Sequence, residues 1–555
     1  MNAHTDALHP PETGPGRPTP AGGGPEGGAP TRGPYVDQPR GFDLFRLPGL
    51  RRLARWKYAR LVFQLPLLAL AVMVVIDGFT GRQVAPRNLA TTSVWLHYRG
   101  LVVIALALFG NAFCAACPLM LTRGVTRRLE AWLPRKFSWP RPLRNKWTVI
   151  VLLLGFFLAY EVFDLWASPW LTAWLVIGYF GAALAVDVLF PAGTFCRYVC
   201  PLGNFNFALA SVSPSQIAAV DPDVCRACEH KPCLHGRDTF EAPPATARAA
   251  FVPLSEVVAP NGTGHFPGCE TDLFVPTITS NMDCTYCFNC VRACPYDNVA
   301  LRLRSPGREL ARAPWARRGR LAVLAMGALL AYWGLMNALA MIAPFFEVAD
   351  TIAGWLGTRN EALVLTVLYA IVTLVGVATT VAAAMLADAI GNAMRAPASG
   401  SDPVVANTAH AATGSTSSRR VSPVASFTRW GYVVVALGFG FWAAHYLFHF
   451  LTGALAIVPV FQHFFEYRGA AVDPNWRLAQ MVPSRWLYPI QATITAVYAL
   501  VAAVTAGRIG LRAYGRAGVL AMWPMVLYVL AFVVLQLVVL AQPMEMRGTM
   551  LMGSP

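Results

Sequence analysis

Cys284-Thr-Tyr-Cys287-Phe-Asn-Cys290-Val-Arg-Ala-Cys294-Pro295 is the stretch from which the rest of the chain is read. Its spacing, C-x2-C-x2-C-x3-C-P, is that of a run that holds a [4Fe–4S] cluster. Three thiolates within one short loop reach three corners of one cube, and the fourth, followed by proline, ligates a second cluster where two are present. Zinc sites more often show two C-x2-C pairs. A disulfide knot does not suit a cytoplasmic segment. Upstream stand Cys225-x2-Cys228-x4-Cys233 and, later, Gly268-Cys269. Together these make eight thiols, enough for two [4Fe–4S] clusters.

The crossover known from two-cluster ferredoxins assigns Cys225, Cys228, Cys233 and Cys294 to one cluster. It assigns Cys269, Cys284, Cys287 and Cys290 to the other. The x4 spacing and the long insertion before Cys269 depart from the simple pattern and leave the partition less fixed than the ligand set. His230, His235 and His265 read as solvated loop residues, with His230 or His265 as substitutes if a thiol is missing.

The composition places this cysteine stretch in a membrane protein. The chain has 555 residues, 55% of them hydrophobic and only 13% charged. Soluble proteins are rarely so apolar. The net charge of +16 does not indicate nucleic acid, because the basic residues cluster beside apolar spans, as the positive-inside rule requires. Nine apolar segments are long enough to cross a bilayer, near 61–79, 94–113, 147–167, 170–191, 320–345, 362–388, 430–460, 486–506 and 518–541. Trp95, Trp147, Trp170, Trp430 and Trp486 mark their ends as interfacial belts do. Arg123, Arg127, Arg128, Arg135, Lys136, Arg141, Arg144 and Lys146 fill the loop after the second span, and a second basic block precedes the fifth. These put the N-terminus and the cysteine domain in the cytoplasm and the C-terminus outside, in a bacterial inner membrane. No signal-peptide pattern opens the chain.

The expected organisation is a disordered tail (1–45), a four-helix membrane domain (46–191), the cysteine domain (192–310) and two further spans (311–395). A flexible linker (396–428) and a three-span module of unassigned role (429–555) complete the chain. The fold class is all-α polytopic, with about nine transmembrane helices and an inserted cytoplasmic α+β two-cluster ferredoxin-like domain.

Spans two and four end alike, in Cys114-Ala-Ala-Cys117-Pro118 and Cys196-Arg-Tyr-Val-Cys200-Pro201-Leu202-Gly203. Four thiols at one membrane depth suit a third cluster or another soft metal, a redox-active dithiol pair, or simply buried small side chains at helix ends. Phe195-Cys196-Arg197-Tyr198-Val199-Cys200-Pro201-Leu202-Gly203, soon followed by the two-cluster run, resembles the membrane polyferredoxins, the class of NapH, CcoG and the C-terminal part of NosR. The resemblance covers about residues 50–305. It departs in the C-x2-C-P spacing of the first motif and in lacking the extracytoplasmic flavin domain typical of NosR. It implies electron transfer across or along the membrane. NapH-like members are proposed as quinol-oxidising partners of periplasmic reductases, and the other two are tied to copper enzymes.

Ionisable residues inside spans are costly and therefore functional candidates. Glu161 and Asp164 share a helix face near the outer end of the third span. With His97 on the second they form a candidate quinol site, with Asp77 nearby on the first; ordinary interfacial solvation is the alternative. His445 and His449, four residues apart, share a face of the seventh span and are candidates for haem b or copper. One haem would need a further partner such as His97 or His463. Met544-Glu-Met546 and Met550-Leu-Met552 add thioethers that suit Cu(I). No C-x-x-C-H, Walker loop, dinucleotide fingerprint or nucleophile elbow is present.

These readings point to a membrane-bound iron–sulfur protein that relays electrons between quinol, or a cytoplasmic donor, and a periplasmic or membrane redox partner. The alternatives are a copper-handling assembly factor that uses the clusters to reduce metal, and a redox sensor. Membrane lipid and quinone are the expected small partners, with no nucleic acid.

Overall fold

The computed structural model describes residues 38–129, 137–238, 265–312, 320–394 and 421–544. The expected tail up to residue 37, most of the linker, and the methionines beyond Met544 lie outside these.

Helix dominates and sheet is slight. Among the described residues, eight helices are long and apolar enough to cross a membrane, against nine expected segments. In chain order the long helices are α1 (Ala59–Thr80), α2 (Leu89–Phe109), α3 (Lys146–Val162), α4 (Pro169–Leu189), α5 (Arg320–Leu339), α6 (Glu361–Ala393), α7 (Tyr432–Gly453), α8 (Leu487–Tyr514) and α9 (Trp523–Ala541). The shortfall is α3. It has 17 residues, or about 26 Å at 1.5 Å per residue. The Asn145 side chain caps its start by accepting from the Trp147 and Thr148 N–H groups. The chain breaks away after Val162, and Asp164 takes a left-handed conformation at φ 42°. Even so, α3 reaches both ends of the bundle.

One end, called here the thiol end, gathers Arg60, Asn111, Arg123, Lys146, Asp187 and Cys200. There Asn111 donates to the Cys284 carbonyl at 2.8 Å and Lys146 pairs with Asp283 at 2.6 Å. At the far end Trp95 Nε1 donates to Thr172 Oγ1 at 2.9 Å, Asn337 Nδ2 to Glu161 at 2.8 Å, and Arg468 pairs with Asp77 at 3.3 Å. Each long helix therefore begins at the end where the previous one finished.

Burial sets the layers. Only 11% of the most apolar window of α1 is buried, against 78% for α5. So α1 lies at the edge and α5 inside. In α7 every residue from Tyr432 to Tyr446 is buried. Gly100 of α2 meets Phe450 of α7, and Gly438 of α7 meets Ala331 of α5, so closely that an added methyl would overlap. The three last spans thus pack into the bundle rather than beside it. The end of the expected linker is also ordered: Pro423–Trp430 is a helix, held by Ser426 Oγ and Trp430 Nε1 donating to Asp388 at 2.8 and 2.7 Å.

The extramembrane part contains two small antiparallel pairs. Strand β1 (Ser215–Ala219) pairs with β4 (Val299–Leu303), Ala219 standing opposite Val299; β2 (Arg237–Asp238) pairs with β3 (His265–Phe266). Because β1 runs into Cys225 and β4 follows Cys294, the first pairing brings those thiols to the same end. Residues 38–45, placed in the tail by the sequence, instead sit on this unit. Gln38 Nε2 donates to the Pro276 carbonyl at 2.9 Å, Asp43 accepts from the Leu301 N–H at 3.1 Å, and Phe45 is buried. Burying Phe45 and pairing Asp43 offsets the entropy of ordering a segment that otherwise reads as loop.

Candidate functional site

The first thiol set is Cys225, Cys228, Cys233 and Cys294. All four line one small cavity, with Val275, Tyr296 and Asn298 among its other walls. Asn298 ties the two strands' ends together: its N–H points at Cys294 Sγ (3.4 Å) and its side-chain amide at Cys225 Sγ (3.2 Å). Backbone N–H groups of Lys231 and Val275 point at Cys228 and Cys233. Lys231 does so from a left-handed conformation at φ 45°. Burial, with the neighbouring Cys294, pushes the Cys225 thiol up to about 12, and burial pushes Cys233 up to about 12. A thiolate held here needs a cation at its sulfur and donors around it, and the N–H groups supply the donors.

The second set is Cys269, Cys284, Cys287 and Cys290, which lie close enough for their charges to act on one another. Asp283, Tyr286 and Phe288 all have positive φ (63°, 53° and 57°). This winding turns the Tyr286 and Asn289 N–H groups onto Cys284 and Cys287. Beside it, Glu270 bonds Arg60 and Arg123 at 2.8 Å each. Burial alone would raise that carboxyl, but the charges of Arg123 and Arg60 outweigh it and hold it down to about 2. Lys146 Nζ spans Asp283, Asn204 Oδ1 (2.6 Å) and the Arg197 carbonyl (2.9 Å), and so locks the Cys284 loop to α3.

The third set is Cys114, Cys117, Cys196 and Cys200. All four line one end of an apolar cavity of 290 Å³ between the first four spans. Gly203 N–H donates to Cys200 Sγ (3.2 Å) and Asn206 Nδ2 to Cys114 Sγ (3.5 Å). The spacing difference between the two motifs has a local cause. Phe195–Val199 winds as a π-helix, whose wider turn takes in the extra residue of C-x3-C, while Cys114 lies in a short α-helix, Ala112–Ala115.

The three sets stand in series. The charge of Cys233 bears on Cys290, and that of Cys114 on Cys284. Thr285, next to Cys284, lines the apolar cavity together with the third set. No group of three or more His, Cys, Asp or Glu that could hold a single metal ion occurs among the described residues. A cubane spreads its four thiolates farther apart than a single ion does. The donor chemistry (four thiols to a set, with N–H groups turned on sulfur) fits [4Fe–4S] better than zinc.

The remaining candidates divide. His97 lines the apolar cavity, with its two ring nitrogens each 2.9 Å from a carbonyl, of Thr92 and Ala454. Glu161 is buried behind that cavity and accepts from Asn337. Asp164 shapes the turn after α3, its carbonyl accepting from Ala167 and Ser168. Of the three, only His97 is among the residues that line the cavity. The residue sequence reasoning missed is Arg99. Its guanidinium lies 4.9, 4.4 and 5.0 Å from the ring centres of Trp95, Tyr160 and Tyr446 and donates to Tyr160 OH at 3.1 Å. The signal was available: an arginine within an apolar span.

His445 and His449 do meet, with ring centres 4.8 Å apart. His445 is fully buried, and among the described residues neither of its ring nitrogens has a hydrogen-bond partner. His463 bonds Glu466 instead (2.8 Å). His230 and His235 are exposed, as expected, though His235 ends the short helix Pro232–His235 rather than lying in a loop. Comparison with family models, curated proteins and solved structures returns no match for the chain.

Proposed function

We propose that this chain is a membrane-bound iron–sulfur electron-transfer protein of the polyferredoxin kind, relaying electrons between quinol in the apolar cavity and a partner redox protein. The observation that carries the reading is the series of three thiol quartets ending at that cavity. When bound, a [4Fe–4S] cluster supplies one-electron transfer at a potential set by hydrogen bonds to sulfur and by burial.

The chain's own residues do the rest. Cys225, Cys228, Cys233 and Cys294 would hold one cluster and Cys269, Cys284, Cys287 and Cys290 another. The membrane quartet is a candidate for a third. Asn298, Gly203 and the left-handed loop residues aim donors at the sulfurs. The cavity walls exclude water and accept an apolar ring and tail. Its volume is close to the lower limit of about 300 Å³ for small-ligand sites. Arg99, fixed between three aromatic rings, presents a permanent charge at the cavity wall. That charge favours the quinol anion formed when a proton leaves, and so eases oxidation.

The test is iron, acid-labile sulfide and zinc content of anaerobically purified protein, with EPR after quinol addition. About eight irons per chain are expected from the two outer quartets and about twelve if the membrane quartet is filled. Stoichiometric zinc without sulfide would overturn the iron–sulfur assignment. Clusters reduced by dithionite but never by quinol would overturn the quinol half alone.

A further inference from the structure

Two phenols from different spans meet at the thiol end of the apolar cavity. Tyr98 of α2 and Tyr179 of α4 line it together with Cys114, Cys117, Cys196 and Cys200. Tyr98 lies close enough to Cys114, Cys117 and Cys200 for charge on those sulfurs to act on it. Tyr179 stands in the same relation to Cys200 and to Tyr98 itself.

Neither hydroxyl is engaged. The Tyr179 oxygen is buried without a hydrogen-bond partner, and among the described residues none bonds the Tyr98 hydroxyl. Buried hydroxyls are nearly always paired, and leaving one unpaired is costly. Packing does not call for these oxygens, because phenylalanine would fill the same space. The rings themselves are fixed: Tyr98 stands edge-on to Phe113 at 4.8 Å between centres, and Tyr179 edge-on to Phe156 at 6.4 Å. The two hydroxyls are thus held in place before a ligand arrives, which lowers the entropy cost of binding it.

A phenol donates through its hydrogen and accepts through its oxygen. It can therefore donate to a quinone carbonyl and accept from a quinol O–H, and so serve one ring in both redox states. Neighbouring walls, Leu67 and Leu70 of α1 and Val176 of α4, are apolar and suit the tail. We propose that Tyr98 and Tyr179 bind the ring oxygens of the quinol or quinone and hold the ring at the thiol end of the cavity, beside the membrane quartet. This rests on the quinol reading and adds to it the end at which the ring lies. The rival end is marked by Ser93, near the start of α2, whose buried Oγ also lines the cavity without a partner.

Full-length protein in neutral detergent would be titrated with decylubiquinone, isotope-labelled at its carbonyl carbons, and with decylbenzene, which has ring and tail without the oxygens. Bound ligand would be counted as the excess over protein-free micelles, and hydrogen bonding read from the carbonyl stretch in infrared difference spectra. The oxidised quinone reports binding whether or not the thiols hold metal. Its carbonyl stretch is expected to fall below the value in micelles. Tyr98→Phe and Tyr179→Phe should each weaken decylubiquinone binding about fivefold, the worth of one neutral hydrogen bond. Each should also return the stretch toward the micelle value and leave decylbenzene binding unchanged, whereas Ser93→Ala should do none of this. Bound quinone that keeps its micelle stretch in the wild-type protein would overturn the proposal, a readout that stands even if the variants fail to fold. So would tyrosine variants that bind quinone as the wild type does, or a loss with Ser93→Ala in their place; in each of these the quinol reading survives. A wild type that takes up no more decylubiquinone than micelles alone would overturn both.

Discussion

Replacing Lys146 with methionine tests how the extramembrane thiol loop is held to the bundle. Lys146 Nζ makes three contacts: Asp283 and Asn204 at 2.6 Å and the Arg197 carbonyl at 2.9 Å. The side chains of the pair are only 7% and 13% exposed. Methionine fills similar space but leaves the Asp283 carboxylate buried, with Arg197 Nε at 3.7 Å as its remaining counter-charge. Breaking a buried pair costs about 3–5 kcal/mol. The residual Arg197 contact places this case near 3 kcal/mol, or about a 100-fold rise in local opening. Hydrogen exchange of the peptide spanning 281–294, read by mass spectrometry, reports that opening whether or not the thiols hold metal. Lys146→Met should speed exchange there while the α7 peptide 432–446 keeps its protection. Adding Asp283→Asn removes the stranded charge and should recover most of the loss, a coupling that single variants cannot show. Exchange within threefold of wild type in the single variant would refute the claim that this pair anchors the loop.

Three further outcomes follow from the same geometry. Cys225→Ala should lower iron by about four per chain and leave quinol-dependent signals from the other sets; equal loss of all iron would show that the sets are not separate. Gly100→Ala should destabilise the protein by about 1–3 kcal/mol, because the added methyl overlaps Phe450; an unchanged unfolding midpoint would mean α2 and α7 are not in contact. Arg292→Gln should lower the reduction potential of the set near Cys287 and Cys290, on which its charge acts, and leave the set near Cys225 unmoved in an EPR-monitored titration; equal shifts in both would refute the assignment.

Much of this arrangement was legible because the signals were local. Apolar runs long enough to cross a bilayer fold as helices wherever they occur, and short thiol spacings bring sulfurs together without help from distant chain. What was not legible depends on partners far apart in the chain. Asp43 and Phe45 look like tail until β4 supplies a surface for them. Glu161 and Asp164 share a face by spacing, yet the helix ends between them and the left-handed Asp164 turns away. The last three spans read as an appendage after a linker, but the small residues Gly438 and Gly100 let α7 press against α5 and α2. That closeness appears only when the partner helix is known.

The charge around the two outer thiol sets is unequal, and this bears on how electrons would distribute between them. Near the second set act Arg60 and Arg292 on Cys287 and Arg197 on Cys269, with Lys146 beside Asp283. With Arg123 beside Glu270 these make five cations, and against them stand Glu270, Asp272 and Asp283. Near the first set act Asp221 on Cys225, Glu229 and Lys231 on Cys228, and Asp297 on Cys294. Arg51 and Arg55 pair with Asp297, so that set is close to neutral. A positive surplus stabilises the more negative, reduced state of whatever centre it surrounds, and burial strengthens the effect because solvent screens it less. On the electron-transfer reading proposed above, the set that adjoins the membrane quartet would thus hold an electron the more firmly. Of the cations that create this difference, Arg60 also fastens the Cys269 segment to the bundle through Glu270 and Lys146 fastens the Cys284 loop through Asp283, so the anchoring of the domain and its charge asymmetry share side chains.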